Sequence, residues 1–121
     1  MEHKNLMTNH TITVVKDFHS QPYGRTPEDG PGCEDTAGSV FRDNILAPAL
    51  HKYDHVTVDL TGYNRYGRSF LDEAFAGLIR ESGFTYEELQ KKLTYKHALV
   101  SSIITIIDER MKAARDSKLN G

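Results

Sequence analysis

An α/β fold, with a single-layer sheet and helices packed against it, is predicted by the order of strand-forming and helix-forming segments. β-Branched residues are concentrated in residues 11–16 and 55–60, and segments with helical spacing of apolar residues come after each. Strands that alternate with helices favour a sheet whose strands are joined by crossover helices. A chain of 121 residues suits one domain with its own core. We expect a flexible N-terminus over residues 1–10, the domain over 11–116 and a frayed C-terminus over 117–121.

Charge, cysteine content and hydropathy exclude several classes of protein. The net charge is −2, with acidic and basic residues interspersed, so the basic stripe of a nucleic-acid-binding protein is absent. The single cysteine, Cys33, excludes an internal disulfide and is typical of a reducing compartment. The N-terminus has no apolar run after its charges, and the apolar stretch 98–107 is too short to span a bilayer. We therefore expect a cytoplasmic protein with neither a nucleic-acid nor a membrane partner.

The first half of the chain predicts a strand, a long loop and a helix. The strand over residues 11–16 is followed by the loop 18–35, which contains several prolines and glycines. A loop of this length in a compact domain is functional or mobile. Thr36 is expected to cap a helix whose apolar residues recur up to Leu50. Pro48 lies inside that pattern and predicts a kink, or a break at the preceding residue, because proline lacks a backbone donor.

The segment from His55 onward contains the clearest strand and the clearest helix. Residues 55–60 alternate between apolar and polar side chains, and residues 69–82 carry an apolar stripe at helical spacing. Gly83 is well placed to end that helix. Ligands and partners of such folds meet the loops at the carboxyl ends of the strands, which here means the turn 61–69.

The C-terminal part predicts a short helix, a brief strand and a final helix. Thr85 and Glu88 have the spacing of a capping box at the start of the short helix. Residues 93–95 predict a brief strand. Residues 98–115 have apolar side chains three and four apart, which favours a helix, although a run of isoleucines within them is also typical of a strand.

Ser69 is the first candidate functional residue. Ser69 and Asp72 have the spacing of a helix cap, which is a purely structural role. Alternatively, Ser69 is a phosphorylation site, where a phosphate would add about −1.5 to −2 charges beside Asp72 and Glu73 and change how a partner docks. A third reading is a hydrolase nucleophile, because residues 67–71 contain the first half of a nucleophile elbow. The second glycine of that motif is absent.

The turn before Ser69 interleaves aromatic and cationic residues. Tyr63 and Tyr66 alternate with Arg65 and Arg68, a composition that is typical of protein-binding patches. The alternative is that one tyrosine packs over the following helix.

A small anion or nucleotide is the other class of ligand that the chain suggests. Arg25, Arg42 and Arg68 lie near predicted helix starts, where anions are favoured. The glycine-rich segment 30–38 lacks the spacing of a phosphate-binding loop. Histidines with metal-ligand spacing lack accompanying cysteines or carboxylates, so we predict no metal site.

The chain resembles the small bacterial STAS-like domains of unknown function, which are distant relatives of the sulfate-transporter and anti-sigma-factor-antagonist domain. The similarity extends over most of residues 11–115, and its strongest part is Ser69-Phe-Leu-Asp-Glu-Ala-Phe75. A weaker part is Gly24-Arg25 with Asp29-Gly30, further along the same loop. The resemblance implies a sheet with helices packed on it and no metal or organic cofactor.

The resemblance also implies a role in regulation. Related antagonist domains exchange partners when a serine at the strand–turn–helix junction is phosphorylated by a kinase-like anti-sigma factor. Their Asp-Ser-Ser-Gly-Leu pattern is replaced here by Gly67-Arg-Ser-Phe-Leu71, and Arg68 occupies the usual acceptor position. The resemblance therefore supports the fold and the docking surface more than the phosphate switch, and it leaves Ser69 as the candidate acceptor.

These observations favour a non-enzymatic regulatory domain that binds a protein partner through residues 62–75. The resemblance implies a histidine-kinase-like ATPase or an anti-sigma-type factor as that partner, and a homodimer is a further option. An anion- or nucleotide-binding domain and a hydrolase using Ser69 are the alternatives. The predicted contact residues are Tyr63, Tyr66, Arg68, Ser69, Asp72 and Glu73.

Overall fold

Three parallel strands form one sheet in the computed structural model, which describes residues 8–120. The strands are β1 (Asn9–Thr13), β2 (His55–Asp59) and β3 (Leu93–Lys96), with β2 in the centre. Because the strands are parallel, their carboxyl ends lie at the same edge of the sheet. The predicted α/β class is confirmed.

The two faces of the sheet differ in polarity. Ile12 pairs with Val58, and Val56 pairs with Leu93, so these buried apolar side chains share one face. The alternate positions carry polar side chains on the other face, where threonines align across the sheet: Thr11, Thr57 and Thr94. The helices therefore cover the apolar face.

Six helices accompany the sheet within residues 8–120. Two are single turns, α1 (Val14–Asp17) and α2 (Cys33–Thr36), and a 3₁₀ turn lies between them at Pro27–Asp29. The other helices pack into the core or against it. Their bounds are α3 (Gly38–Phe41, Arg42–Leu46 and Ala47–Lys52, continuous), α4 (Arg68–Leu71, Asp72–Ala76 and Gly77–Arg80, continuous), α5 (Tyr86–Lys92) and α6 (Ser101–Asn120).

Helix α4 is the central element of the helical layer. It packs against both α3 and α6 and carries the fully buried Phe70, Leu71 and Phe75. The middle segments of α3 and α4 are π-helical, so each helix is locally wider.

Several predicted boundaries are confirmed. Helix α4 occupies the predicted segment, and Gly83 follows it with a φ of 87°, while the Phe84 N–H donates to the Leu78 carbonyl at 3.1 Å. The capping box of α5 is complete: the Glu88 N–H donates to Thr85 Oγ1 at 3.0 Å, and the Thr85 N–H donates to Glu88 Oε1 at 2.8 Å. The brief strand predicted after α5 is β3.

The two ends of the chain differ from the prediction. β1 spans Asn9–Thr13 instead of 11–16, so residues 9 and 10 belong to the sheet and not to a flexible N-terminus. Residues 1–7 lie outside the described residues. Helix α6 continues through residues 117–120, because no glycine or proline interrupts it before Gly121.

Two expectations are wrong: that Thr36 caps α3, and that α3 breaks before Pro48. Thr36 ends α2, and Ala37 is the N-cap residue of α3. Helix α3 continues through Pro48 because the π-helical turn precedes it: the Ala47 N–H donates to the Arg42 carbonyl, five residues back. The wider turn accommodates a residue that has no N–H to donate.

Candidate functional site

The turn after β2, residues 61–67, lies at the carboxyl edge of the sheet, and we call it the edge turn. Gly62 has a φ of 107°, and a Cβ on it would lie 2.9 Å from Val15 Cγ2, so the turn packs closely on α1. On its other side, the Ala98 N–H donates to Thr61 Oγ1 at 3.0 Å. The edge turn is therefore held between α1 and the segment after β3.

His97 fixes the edge turn to the start of α6. Its Nδ1 accepts hydrogen bonds from the N–H groups of Leu99 and Val100, both at 3.1 Å. The proton of the neutral ring is therefore on Nε2, which donates to the Tyr63 carbonyl at 2.8 Å. A single side chain thus joins the edge turn to the segment before α6.

The two tyrosines of the edge turn have different environments. Tyr66 is only 7% exposed, and its ring packs against Phe70 at 5.8 Å and edge-on against Tyr63 at 5.1 Å. Burial raises the pKa of the Tyr66 hydroxyl, which has no hydrogen-bond partner among the described residues. Tyr66 is the tyrosine that packs over the helix, as the alternative predicted. Tyr63 is half-buried and still reaches the surface.

The start of α4 has no side-chain cap. Its N-cap residue is Gly67, with φ −77° and ψ 152°, so Ser69 is the second helical residue and not the cap that its spacing predicted. Ser69 and Arg68 are exposed, as is Arg65 in the edge turn. Within residues 8–120, the side chains of these three residues make no hydrogen bond or ion pair with one another or with any neighbour. They form a polar surface at the positive end of α4.

Asp72 is turned into the protein. It is 5% exposed, and its carboxylate accepts hydrogen bonds from Arg25 at 2.7 Å, Arg80 at 3.0 Å and Arg110 at 2.9 Å. Burial opposes ionisation of the carboxyl, but the bonds from Arg80, Arg25 and Arg110 outweigh it and hold the pKa of Asp72 well below its ordinary value. Asp72 therefore joins three segments of the fold and does not lie on the predicted contact surface.

Glu73 has a similar role with Arg42. Arg42 Nη1 donates to Glu73 Oε2 at 2.7 Å and to the Glu73 carbonyl at 2.9 Å, and Arg42 is 5% exposed. A Cβ on Gly77 would overlap Arg42 Nη1, so this glycine leaves the space for the guanidinium. Arg25 Nη1 also donates to Glu73, at 3.1 Å. We call this group the ion-pair cluster: Arg25, Arg42, Asp72, Glu73, Arg80 and Arg110.

The ion-pair cluster changes the interpretation of two predicted anion ligands. Arg25 and Arg42 already bind carboxylates of α4, so neither is available in this structure for the anion site predicted from their positions. Arg68 is the member of that predicted set that remains exposed. Arg80 and Arg110 were not predicted from the sequence, although Asp72 and Glu73 are flanked there by the apolar residues 70–71 and 74–75. Acidic groups in such a setting need cationic partners.

The hydrolase alternative gains no support from the geometry. No histidine among residues 8–120 forms a hydrogen bond with Ser69 Oγ, although an activated serine needs a base within reach. No group of three or more His, Cys, Asp and Glu side chains within the same residues could hold a metal ion.

A cleft of about 580 Å³ lies beside the edge turn. One wall belongs to the loop between α1 and α3, and the other belongs to the edge turn. Its lining residues are His19, Gln21, Tyr23, Pro31, Gly32, Thr36, Tyr63 and Arg65.

A parallel sheet with helices on one face and an exposed helix start after the central strand define this protein as an α/β domain of one sheet and one helical layer. A family model, the STAS-like domain of unknown function (DUF4325), matches residues 37–102, which is more than half of the chain. The chain belongs to this family, as the resemblance predicted. No curated protein and no solved structure matches the chain. In the part of the chain that the structure describes, no helix is both long enough and apolar enough to cross a membrane.

Proposed function

We propose that this STAS-like domain is a non-enzymatic regulatory module that binds a protein partner through the edge turn and the start of α4. The contact residues are Tyr63, Arg65, Arg68 and Ser69. One observation carries the proposal: at this helix start and in the turn before it, the exposed side chains of Arg65, Arg68 and Ser69 make no hydrogen bond or ion pair with the described residues, and no side chain caps the helix. The neighbouring Asp72 is already neutralised by arginines, so it does not reduce the positive potential there.

The partner should present acidic groups. Two exposed arginines and the positive end of a helix act on the same surface, and complementary charge increases both the rate and the specificity of association. A carboxylate of the partner can also accept hydrogen bonds from the free N–H groups in the first turn of α4. A histidine-kinase-like ATPase or an anti-sigma-type factor is the partner that the family resemblance suggests.

Phosphorylation of Ser69 would control this interaction. The hydroxyl is exposed and caps no helix, so a kinase can reach it without breaking an internal hydrogen bond. A phosphate there adds about −1.5 to −2 charges. These charges are favourable at the positive end of the helix, but they repel the acidic groups of the partner. The modified surface should therefore release the partner while the fold persists.

A photo-crosslinking experiment tests the proposal. A crosslinking amino acid at the exposed Asn64 of the edge turn should capture one specific protein in the host cell, and the same amino acid at the exposed Glu87 of α5 should not. The double substitution Arg65→Glu with Arg68→Glu should reduce capture by at least about tenfold, because both attractive charges are reversed. Ser69→Glu should have the same direction of effect. Lys112→Glu, an exposed charge reversal on α6, is the matched control.

Two outcomes would contradict the proposal. Capture of the same protein with equal yield from Asn64 and Glu87 would mean that the edge turn is not the contact surface. Unchanged capture in the double arginine variant, with a normally folded domain, would exclude the electrostatic basis.

A further inference from the structure

The cleft beside the edge turn lies at the carboxyl ends of β1 and β2, where small ligands bind in open α/β sheets. Its volume of about 580 Å³ is within the range of sites that hold a small organic molecule. The cleft does not contain Arg68 or Ser69, but it shares Tyr63 and Arg65 with the surface proposed to contact the protein partner. It therefore lies next to that surface and extends from it towards the loop after α1.

The polar groups of the cleft favour an anion. Arg65 is exposed, and no residue in 8–120 pairs with its guanidinium. His19 is half-buried, and its Nδ1 accepts from the Gln21 N–H at 3.0 Å, so its Nε2 carries the proton and can donate. The lining contains no aspartate or glutamate. Two donors without a competing acid suit a phosphate group.

The aromatic groups of the cleft favour a planar ring. Tyr23 and Tyr63 both line it, and the Tyr23 side chain is 66% exposed. The backbone of Tyr23 is nevertheless fixed, because its N–H donates to the Thr36 carbonyl at 2.9 Å and its carbonyl accepts from Thr36 Oγ1 at 2.8 Å. An exposed aromatic ring on a fixed backbone offers a flat surface for stacking.

We propose that this cleft binds a mononucleotide, with its phosphate against Arg65 and His19 and its base against Tyr23 or Tyr63. Arg25, which lies in the loop that forms one wall of the cleft, takes no part because it is bound to Asp72 and Glu73. This inference does not rest on the protein partner: a small ligand occupies the cleft in the isolated domain.

Titration calorimetry on the full chain tests the inference with three kinds of probe: purine and pyrimidine nucleoside monophosphates, the matching nucleosides, and inorganic phosphate. At least one nucleotide should bind about tenfold more tightly than its nucleoside and than phosphate, because two subsites contribute. Arg65→Ala should weaken that nucleotide about tenfold through the lost charged hydrogen bond. Tyr23→Ala should weaken it by a similar factor through lost stacking.

The controls separate the cleft from general charge effects. Arg115→Ala removes an arginine that stacks on Tyr86, far along α6, and should leave nucleotide affinity unchanged. Arg65 and Tyr23 are exposed, so both variants should unfold at the temperature of the parent chain.

Three outcomes would overturn the inference. The first is no saturable binding of any nucleotide. The second is equal affinity for inorganic phosphate and nucleotide, which would show that the aromatic residues contribute nothing to binding. The third is an equal loss in Arg115→Ala and Arg65→Ala, which would mean non-specific attraction by charge.

Discussion

Helices α3 and α4 begin in contrasting ways although their construction is similar. Each follows a loop that leaves the carboxyl edge of the sheet, each contains a π-helical segment, and neither has a side-chain cap. The start of α3 is closed, because the N–H groups of Gly38 and Ser39 donate to the carbonyls of Gly24 and Arg25 at 2.9 and 3.0 Å. No described residue closes the start of α4 in this way.

The contrast separates structure from function at two similar positions. A helix start whose donors are satisfied by another segment of the same chain has a structural role. A helix start that leaves its donors exposed can receive acceptors from another molecule. The most distinctive sequence segment, 69–75, contains both kinds of residue. Ser69 lies on the surface at the open start of α4, whereas Asp72 and Glu73 are turned inward and belong to the ion-pair cluster.

Removal of the Asp72 carboxylate should have the largest effect on stability. In Asp72→Ala, three arginines lose a shared partner, and Arg25, which helps to hold the loop that closes α3, keeps only its longer bond to Glu73. We expect a loss of about 3 kcal/mol, the lower end for a broken buried pair, because Arg80 and Arg110 are partly exposed and can be rehydrated. Urea unfolding measures the loss. Glu109→Gln, an exposed change on α6, should alter stability by less than about 0.5 kcal/mol.

The same carboxylate should make stability depend on pH at the acidic end. Its pKa in the folded protein is lowered from the ordinary 3.8, so its contribution is present above that pH and is lost as the pH falls towards the folded pKa. Between about pH 6 and about pH 2.5, the stability difference between the parent and Asp72→Asn should therefore shrink. A difference that stays constant over this range would mean that the Asp72 carboxyl does not titrate differently on folding.

Gly38 should be the next most sensitive position, because it is where α3 meets α4. A Cβ on Gly38 would lie 2.6 Å from the Phe70 carbonyl oxygen and 3.2 Å from the Ala74 nitrogen, both backbone atoms that cannot rotate away. Gly38→Ala should cost about 2–3 kcal/mol in urea unfolding. Gly30→Ala is the matched control, since its Cβ would meet nothing within 4 Å. Equal stability of the two variants would mean that the helices do not approach this closely.

Local patterns in the sequence were enough to predict most elements of the fold. The Gly83 helix end and the Thr85–Glu88 capping box depend on residues a few positions apart, and both are confirmed. The ion-pair cluster could not be assembled in this way, because Asp72 meets Arg25 across 47 positions and Arg110 across 38.

The error at Ser69 has a different cause. Ser69 and Asp72 fit the spacing of a cap, but the helix begins at Arg68, and the cap position is occupied by Gly67. Several residues near a helix start can satisfy the same short pattern, and only the backbone angles decide which of them is the cap.

Arg25→Ala should loosen the closed start of α3, so that it becomes more like the open start of α4. The Arg25 side chain is 39% exposed and Asp72 keeps two other arginines, so the stability loss should be only about 1 kcal/mol. Hydrogen exchange should show the specific effect: the amides of Gly38 and Ser39 should exchange faster, because the loop carbonyls that accept from them are less well held. Arg68→Ala removes an exposed arginine that makes no side-chain hydrogen bond or ion pair with the described residues, and it should leave those two amides unchanged.

Gly67→Ser should have the smallest effect and provides the sharpest test of the comparison. A Cβ at Gly67 would meet nothing within 4 Å, and its extended backbone suits a serine cap that accepts from the first turn of α4. We expect a gain of about 0.3 kcal/mol in the free energy of unfolding and a rise of about 1–2 °C in the unfolding temperature.

Ala37→Ser, at the equivalent position of α3, should bring no gain in stability, because Ala37 is fully buried and the loop already closes that helix start. A gain at Ala37 with none at Gly67 would reverse the assignment of closed and open starts. Gly67→Ser should also weaken partner binding, because the new hydroxyl would accept from backbone N–H groups that the open start of α4 otherwise offers to the partner.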